Sequence, residues 1–177
     1  MANNVFIATS LDGFIADKNN GIDWLHSIPG TDGLDLGYDK HIASIDALVM
    51  GRNTFELVCS FDCDWPYTKP VFVLSNTLRD IPNGYEDKIR LVNGELSQLV
   101  KQLNDEGFEN LYIDGGVTIQ HFLKADMIDE MIITTIPIVL GSGIRLFGEQ
   151  SQALNFACTS SERFENGICQ NAFARKR

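Results

Sequence analysis

The run Ala47-Leu48-Val49-Met50-Gly51-Arg52-Asn53-Thr54-Phe55-Glu56 has the residue types and spacing of an anion site. Its first four residues are apolar, as in a strand covered on both faces. Gly51 lets the backbone turn without a Cβ clash. Asn53 is a good N-cap, and Glu56 stands where the acid of a capping box would. The pattern predicts a strand that turns at once into a helix. The free N–H groups and partial positive charge of that helix start would attract an anion. Arg52 adds a planar fork suited to a phosphate. An ordinary strand-to-helix turn with a surface arginine would use the same residues.

Other stretches share this character. Residues 111–114 form an apolar strand that enters Gly115-Gly116, and a helix is expected over 117–124. Two glycines permit unusual dihedrals and close backbone approach. Asp114, just before them, is placed to meet a ligand or to cap the helix. The strand over 70–75 runs into Ser75-Asn76-Thr77, whose small polar side chains suit phosphate or ribose contacts or a plain turn. Residues 19–33 read as a polar, glycine-containing loop in which Trp24 is either a lid over a ligand or an anchor. His26 beside it reads as solvent-exposed. Asp35 sits where the N-cap of a helix over 35–46 belongs, with Asp39 and Asp46 as neighbouring acids.

Strands are expected at 5–9, 47–50, 70–75, 89–92, 111–114 and 129–143, and a short apolar return at 14–16 follows the Asp12-Gly13 turn. The helix over 95–106 has Leu96, Leu99, Val100 and Leu103 at i, i+3, i+4 and i+7, ends at Gly107, and is assigned to packing. Strands at 154–164 and 168–174 flank Glu165-Asn166-Gly167, a hairpin signal. Alternating strands and helices followed by a strand-rich end predict one α/β domain over 1–177. Its sheet would be mixed and mainly parallel, with helices on both faces and a C-terminal antiparallel hairpin. No Gly-x-Gly-x-x-Gly follows the first strand, so the common dinucleotide fingerprint is absent.

The chain has 177 residues, 44% of them hydrophobic and 21% charged, which suits a globular protein with a sizeable core. A net charge of −10 argues against nucleic acid or an anionic membrane as the main partner. No apolar run reaches membrane-spanning length, and the N-terminus does not read as a signal peptide. Cys59, Cys63, Cys158 and Cys169 make no metal-like set and read as reduced thiols, so no metal and a cytoplasmic location are expected.

Four spaced motifs resemble the dihydrofolate reductase superfamily. They are Ser10-Leu11-Asp12-Gly13-x-Ile15-Ala16, Met50-Gly51-Arg52-x-Thr54-Phe55-Glu56, Gly115-Gly116, and Asp129-Glu130 with an apolar run, Pro137 and Leu140-Gly141-x-Gly143-x-x-Leu146-Phe147. The last is similar to the branch containing the C-terminal reductase of the riboflavin-pathway deaminase-reductase and its stand-alone relatives. Folate reductases usually carry a more acidic, less glycine-rich segment there.

The resemblance implies a three-layer dihydrofolate reductase-like fold and NADPH as cofactor. It places Gly51, Arg52, Asn53 and Thr54 at the pyrophosphate and ribose phosphate, Ala8 and Ile15 on the nicotinamide side, and Leu74, Ser75 and Asn76 at the adenine end. Ile113, Gly115, Gly116, Val117 and Thr118 would lie under the nicotinamide and pyrophosphate, where the superfamily's glycine pair carries a cis peptide. Asp35, 17 residues before Arg52, takes the offset of the lone buried acid of folate reductases, which gives it a catalytic and substrate role; helix capping stays open beside it. Trp24 and Asp114 join it as substrate contacts. The implied reaction is NADPH-dependent reduction of a pyrimidine or pterin-like heterocycle. It is most similar to reduction of 5-amino-6-(5-phosphoribosylamino)uracil, with a true dihydrofolate reductase or a nucleotide-binding protein without turnover as alternatives. The branch also implies a homodimer paired through its late strands.

Overall fold

The computed structural model describes residues 1–29 and 35–177. In chain order, β1 (Ala2–Ser10) leads to a short β2 (Phe14–Ala16), a 3₁₀ turn (Asp23–His26) and α1 (Tyr38–Ser44). Next, β3 (Ala47–Gly51) runs directly into α2 (Arg52–Cys59), and β4 (Val71–Leu74) and β5 (Ile89–Val92) precede α3 (Leu96–Asp105). Then β6 (Asn110–Asp114) runs into α4 (Gly116–Lys124), and β7 (Glu130–Ile136), β8 (Ile144–Arg145), β9 (Phe156–Arg163) and β10 (Cys169–Arg175) follow.

The main sheet has eight strands in the order β5-β4-β3-β6-β1-β7-β10-β9. Every pairing from β5 through to β7 is parallel, and β10 is antiparallel to both β7 and β9. The apolar runs of the central strands are buried on both faces by alternation. Ala47 and Val49 face one core with Leu99, Leu103, Ile119 and Phe122 of α3 and α4. Leu48 and Met50 face the other with Phe55 of α2 and Ile45 after α1. Each such fully buried aliphatic or aromatic side chain stabilises by about 1.5–3 kcal/mol.

The structure redraws three expected elements. The helix expected over 35–46 begins only at Tyr38, after Gly37 in the left-handed region (φ 86°). Asp35 accepts hydrogen bonds from the N–H groups of Gly37 (3.0 Å) and Asp39 (2.8 Å), so it caps the entry to α1. The strand expected over 129–143 stops at Ile136, because Pro137 has no N–H for a ladder bond. Residues 14–16 do not return onto β1 as a hairpin; β2 pairs antiparallel with β8, Phe14 opposite Arg145 and Ala16 opposite Ile144. The late hairpin forms at Asn166-Gly167, with Gly167 at φ 87° and the Ile168 N–H donating to Asn166 Oδ1. Among the described residues no helix is long and apolar enough to cross a membrane.

Candidate active site

Neighbouring strands β3 and β6 place Met50 opposite Asp114. From β3, α2 leaves toward the face of Phe55 and Tyr112; from β6, α4 leaves toward the face of Ile119 and Phe122. Adjacent strands whose helices depart to opposite sides leave a crevice at their carboxyl ends, the usual ligand position in an α/β sheet. Here the crevice is a cleft of about 1230 Å³.

The two strand exits interlock. A Cβ on Gly51 would come 2.7 Å from Thr118 Oγ1, and one on Gly115 would overlap Thr54 Oγ1. Each exit is pressed against the threonine hydroxyl of the other helix, which leaves room only for glycine. Gly115 also sits at φ 90°. The Gly115–Gly116 peptide departs from the cis bond implied by the resemblance, since no cis peptide occurs among the described residues.

Gly51 and Gly115 are the N-caps of α2 and α4, and neither helix start receives a side-chain cap from the described residues. The expected capping roles of Asn53 and Glu56 are therefore corrected. α2 starts at Arg52, which puts Asn53 inside the first turn, and Glu56 Oε1 accepts from Arg52 Nε at 2.6 Å. By contrast, the Glu95 carboxylate caps α3 through the Ser97 and Gln98 N–H groups. The α2 and α4 amides thus stay open toward one cleft, where an anion would satisfy them. Beside them, Arg52 Nη1 donates to Thr77 Oγ1 (3.2 Å), and Ser75 Oγ accepts from the Thr77 and Leu78 N–H groups (3.2 and 2.9 Å).

Asp114 and aromatic side chains form the other end. Burial raises the Asp114 carboxyl to about 6, against the opposing effect of the Gly115 N–H that it accepts. Tyr67 and Tyr112 are raised first by burial and then by the charge of Asp114. The Tyr112 hydroxyl donates to the Phe6 carbonyl at 2.8 Å. Behind this pair His41 stacks on Phe6 and meets Tyr112 edge-on, with centroid distances of 5.0 and 4.8 Å. Burial lowers its pKa to about 4, and Nε2 has no partner among the described residues.

A small flap of β2 and β8 covers the α4 start: a Cβ on Gly116 would lie 2.9 Å from both Ile15 Cδ1 and Ile144 Cγ2. Asp12 ties this flap down. Its carboxylate accepts from Ser10 Oγ (2.6 Å) and from the N–H groups of Leu140 (3.1 Å) and Gly141 (2.7 Å). Those bonds, led by that of Ser10, lower the Asp12 carboxyl to about 2.

The structure places most sequence-derived candidates in the cleft wall. Gly51, Arg52, Asn53 and Thr54 line it at the β3 exit, and Asp114, Gly115, Gly116, Val117 and Thr118 at the β6 exit. Ala8, Ile15, Leu74, Ser75 and Asn76 also line it. Ile113 does not, being fully buried in the core beneath. Trp24 is buried against Ile136 and Ile168, so it anchors its turn while Ile22 and Leu25 face the cleft. Asp35 is exposed, its oxygens hold backbone amides, and it is outside the wall.

The sequence reading missed Tyr112, Tyr67 and the pairing of Glu56 with Arg52. Tyr112 could have been found, because it shares a strand face with Asp114 two residues on. Tyr67 comes from a loop whose sequence carries no such period.

A three-layer sheet with this cleft at its switch point defines a dihydrofolate reductase-like domain of the reductase type. Residues 4–170 match the RibD C-terminal domain, and the chain belongs to that family. It is 34% identical over 167 residues to YwjB of Bacillus subtilis (strain 168), an uncharacterized protein, covering 93% of this chain and 92% of YwjB. It superposes with a TM-score of 0.97 and 57% identity, over 100% of both chains, on the crystal structure of a Shewanella sp. PV-4 protein provisionally assigned to riboflavin biosynthesis. A diaminohydroxyphosphoribosylaminopyrimidine deaminase/5-amino-6-(5-phosphoribosylamino)uracil reductase from Thermotoga maritima shares the fold, with a TM-score of 0.73 and 16% identity over 99% of this chain and 56% of that one.

Proposed function

We propose that this chain is an NADPH-dependent reductase of a flat nitrogen heterocycle, a pyrimidine or a pterin. The observation that carries this reading is the pair of uncapped helix starts, α2 and α4, opening into one cleft at adjacent strand exits. A dinucleotide fits that arrangement: its pyrophosphate would satisfy the open amides, and Arg52 with Ser75 and Thr77 would hold a ribose phosphate. The named reaction of the Thermotoga maritima protein belongs to the same class.

When bound, the cofactor supplies a hydride. The residues of this chain do the rest. Gly51 and Gly115 let the two helix starts press against the threonine hydroxyls of each other's helix, while Ile15 and Ile144 pack on Gly116 and would exclude water above the α4 start. A C=N, in the ring or between the ring's amino nitrogen and an opened sugar, that gains a hydride at carbon must gain a proton at nitrogen. Asp114 is the cleft carboxyl able to hold one near neutral pH. The reading includes a homodimer formed through the late strands, where β9 is the sheet edge and β10 is half-buried along its length.

Thermal shift with NADPH and NADH on the parent and on Arg52→Ala tests the cofactor. A ligand at a hundredfold its Kd stabilises by about 2.7 kcal/mol. NADPH is expected to raise Tm, NADH less, and the variant to lose the difference; no shift with either nucleotide overturns the reading.

A further inference from the structure

Arg52 stands in an unfavourable place for a helix. It is the first residue of α2, at the positive end of the helix, where a cation is repelled. Its partner Glu56 follows one turn later, and a cation ahead of its acid is the weaker order for an i,i+4 pair. Both side chains are about half exposed, so the pair adds little to the stability of α2. Support of the helix therefore does not explain why the two stand together.

The geometry of the guanidinium does. Glu56 Oε1 accepts from Nε at 2.6 Å, and Thr77 Oγ1, beyond the end of β4, accepts from Nη1 at 3.2 Å. Two anchors on separate elements fix the plane of a long side chain that would otherwise rotate freely. Nη2 has no acceptor among the described residues, so the tip of the fork is left for a ligand. Glu95 also lines the cleft but plays no such part. Its carboxylate holds the Ser97 and Gln98 N–H groups and the Ser97 hydroxyl.

Resting on the cofactor reading above, we infer that Glu56 is the positioning residue for Arg52 and thereby sets the preference for a nicotinamide dinucleotide with a ribose phosphate over one without. The N–H groups at the tip of the fork suit two phosphate oxygens. Ordering a long side chain on binding costs affinity, and Glu56 orders Arg52 before the phosphate arrives. The carboxylate also repels that phosphate, but the pair is exposed and water and salt screen the repulsion. Orientation outweighs charge, and Glu56 acts through its acceptor oxygen.

The test measures Kd for NADPH and for NADH by nicotinamide fluorescence on the full chain. The proteins are the parent, Glu56→Ala, Glu56→Gln, Arg52→Ala and the Arg52→Ala/Glu56→Ala double variant. Glu56→Ala is expected to weaken NADPH by about two- to tenfold, the cost of ordering one long side chain, and to leave NADH unchanged. Glu56→Gln keeps an acceptor for Nε and should restore most of the loss. In the Arg52→Ala background Glu56→Ala should cost nothing further, because its effect runs through Arg52. Four results overturn the inference: Glu56→Ala binding NADPH as tightly as the parent or tighter, an equal loss for both nucleotides, a loss that persists without Arg52, or a Gln variant as weak as the Ala one. A parent that binds neither nucleotide overturns the cofactor reading itself, and this inference with it, so the two failures are distinguishable.

Discussion

At the residue scale, Asp114 and His41 pull stability in opposite directions with pH. Burial raises the Asp114 carboxyl from 3.8 to about 6, so the folded state binds the proton more tightly than the unfolded chain. Its contribution is fully present below pH 3.8 and is lost as pH rises through about 6. Burial lowers His41 from 6.5 to about 4, so its contribution is present above pH 6.5 and lost as pH falls through about 4. The two offset each other across the mildly acidic range. Asp114→Asn is expected to stabilise at pH 7.5, on the order of 1–3 kcal/mol, and to have little effect near pH 4. His41→Phe should remove the acid-side loss and leave the loss attributed to Asp114. Urea unfolding from pH 4 to 7.5 reads both, and parallel stability–pH curves for all three proteins would refute the assignment.

At the scale of elements, the site depends on how neighbouring turns meet. Gly51 lies at an ordinary φ of −78°, so alanine there is unstrained in its backbone, but its Cβ would come 2.7 Å from Thr118 Oγ1. Gly51→Ala is expected to cost about 1–3 kcal/mol as overpacking, and Thr118→Ala in the same chain should recover part of it. A double-mutant cycle on Tm shows this as a coupling energy; strict additivity would mean the contact is irrelevant.

The Asp12 latch acts on the flap. It joins the turn after β1 to the turn before β8, beside the Leu11 N–H to Ile138 carbonyl bond (2.8 Å) and the Leu146 N–H to Gly13 carbonyl bond (3.0 Å). Asp12→Ala should loosen β2 and β8 over the α4 start and weaken NADPH binding about tenfold. Titration of nicotinamide fluorescence measures it, and an unchanged Kd would show that the flap closes without the latch.

For the whole molecule, the parallel half of the sheet carries the cleft and the antiparallel end carries an open edge. β9 is largely exposed and has β10 on one side only. An edge strand of this kind is a template for pairing unless it is covered. Light scattering is expected to return twice the chain mass of 19.7 kDa. A monomeric mass at micromolar concentration would refute the homodimer. The C-terminal hairpin is held to the rest by Arg175, whose side chain is 8% exposed and whose Nε donates to Asp126 Oδ1 at 2.7 Å.

What the sequence by itself determined is the set of local backbone events. The strand-to-helix turn at Gly51, the strand entering Gly115-Gly116, the amphipathic α3 and the Asn166-Gly167 hairpin depend on short-range sterics and periodicity, and these are written in neighbouring residues. The alternation of elements determined the layered, mainly parallel sheet for the same reason.

Only the tertiary structure decided which acid reaches the cleft. Asp35 and Asp114 are both carboxylates at helix starts. Asp114 enters the wall because β6 registers beside β3, whereas Asp35 turns its oxygens to the amides of Gly37 and Asp39. The pairing of β2 with β8, the burial of Trp24 and the Arg52–Glu56 bond were settled the same way. Register and burial join residues far apart in the chain, or choose among several local partners, and the free energy that decides between them exists only once the layers have packed.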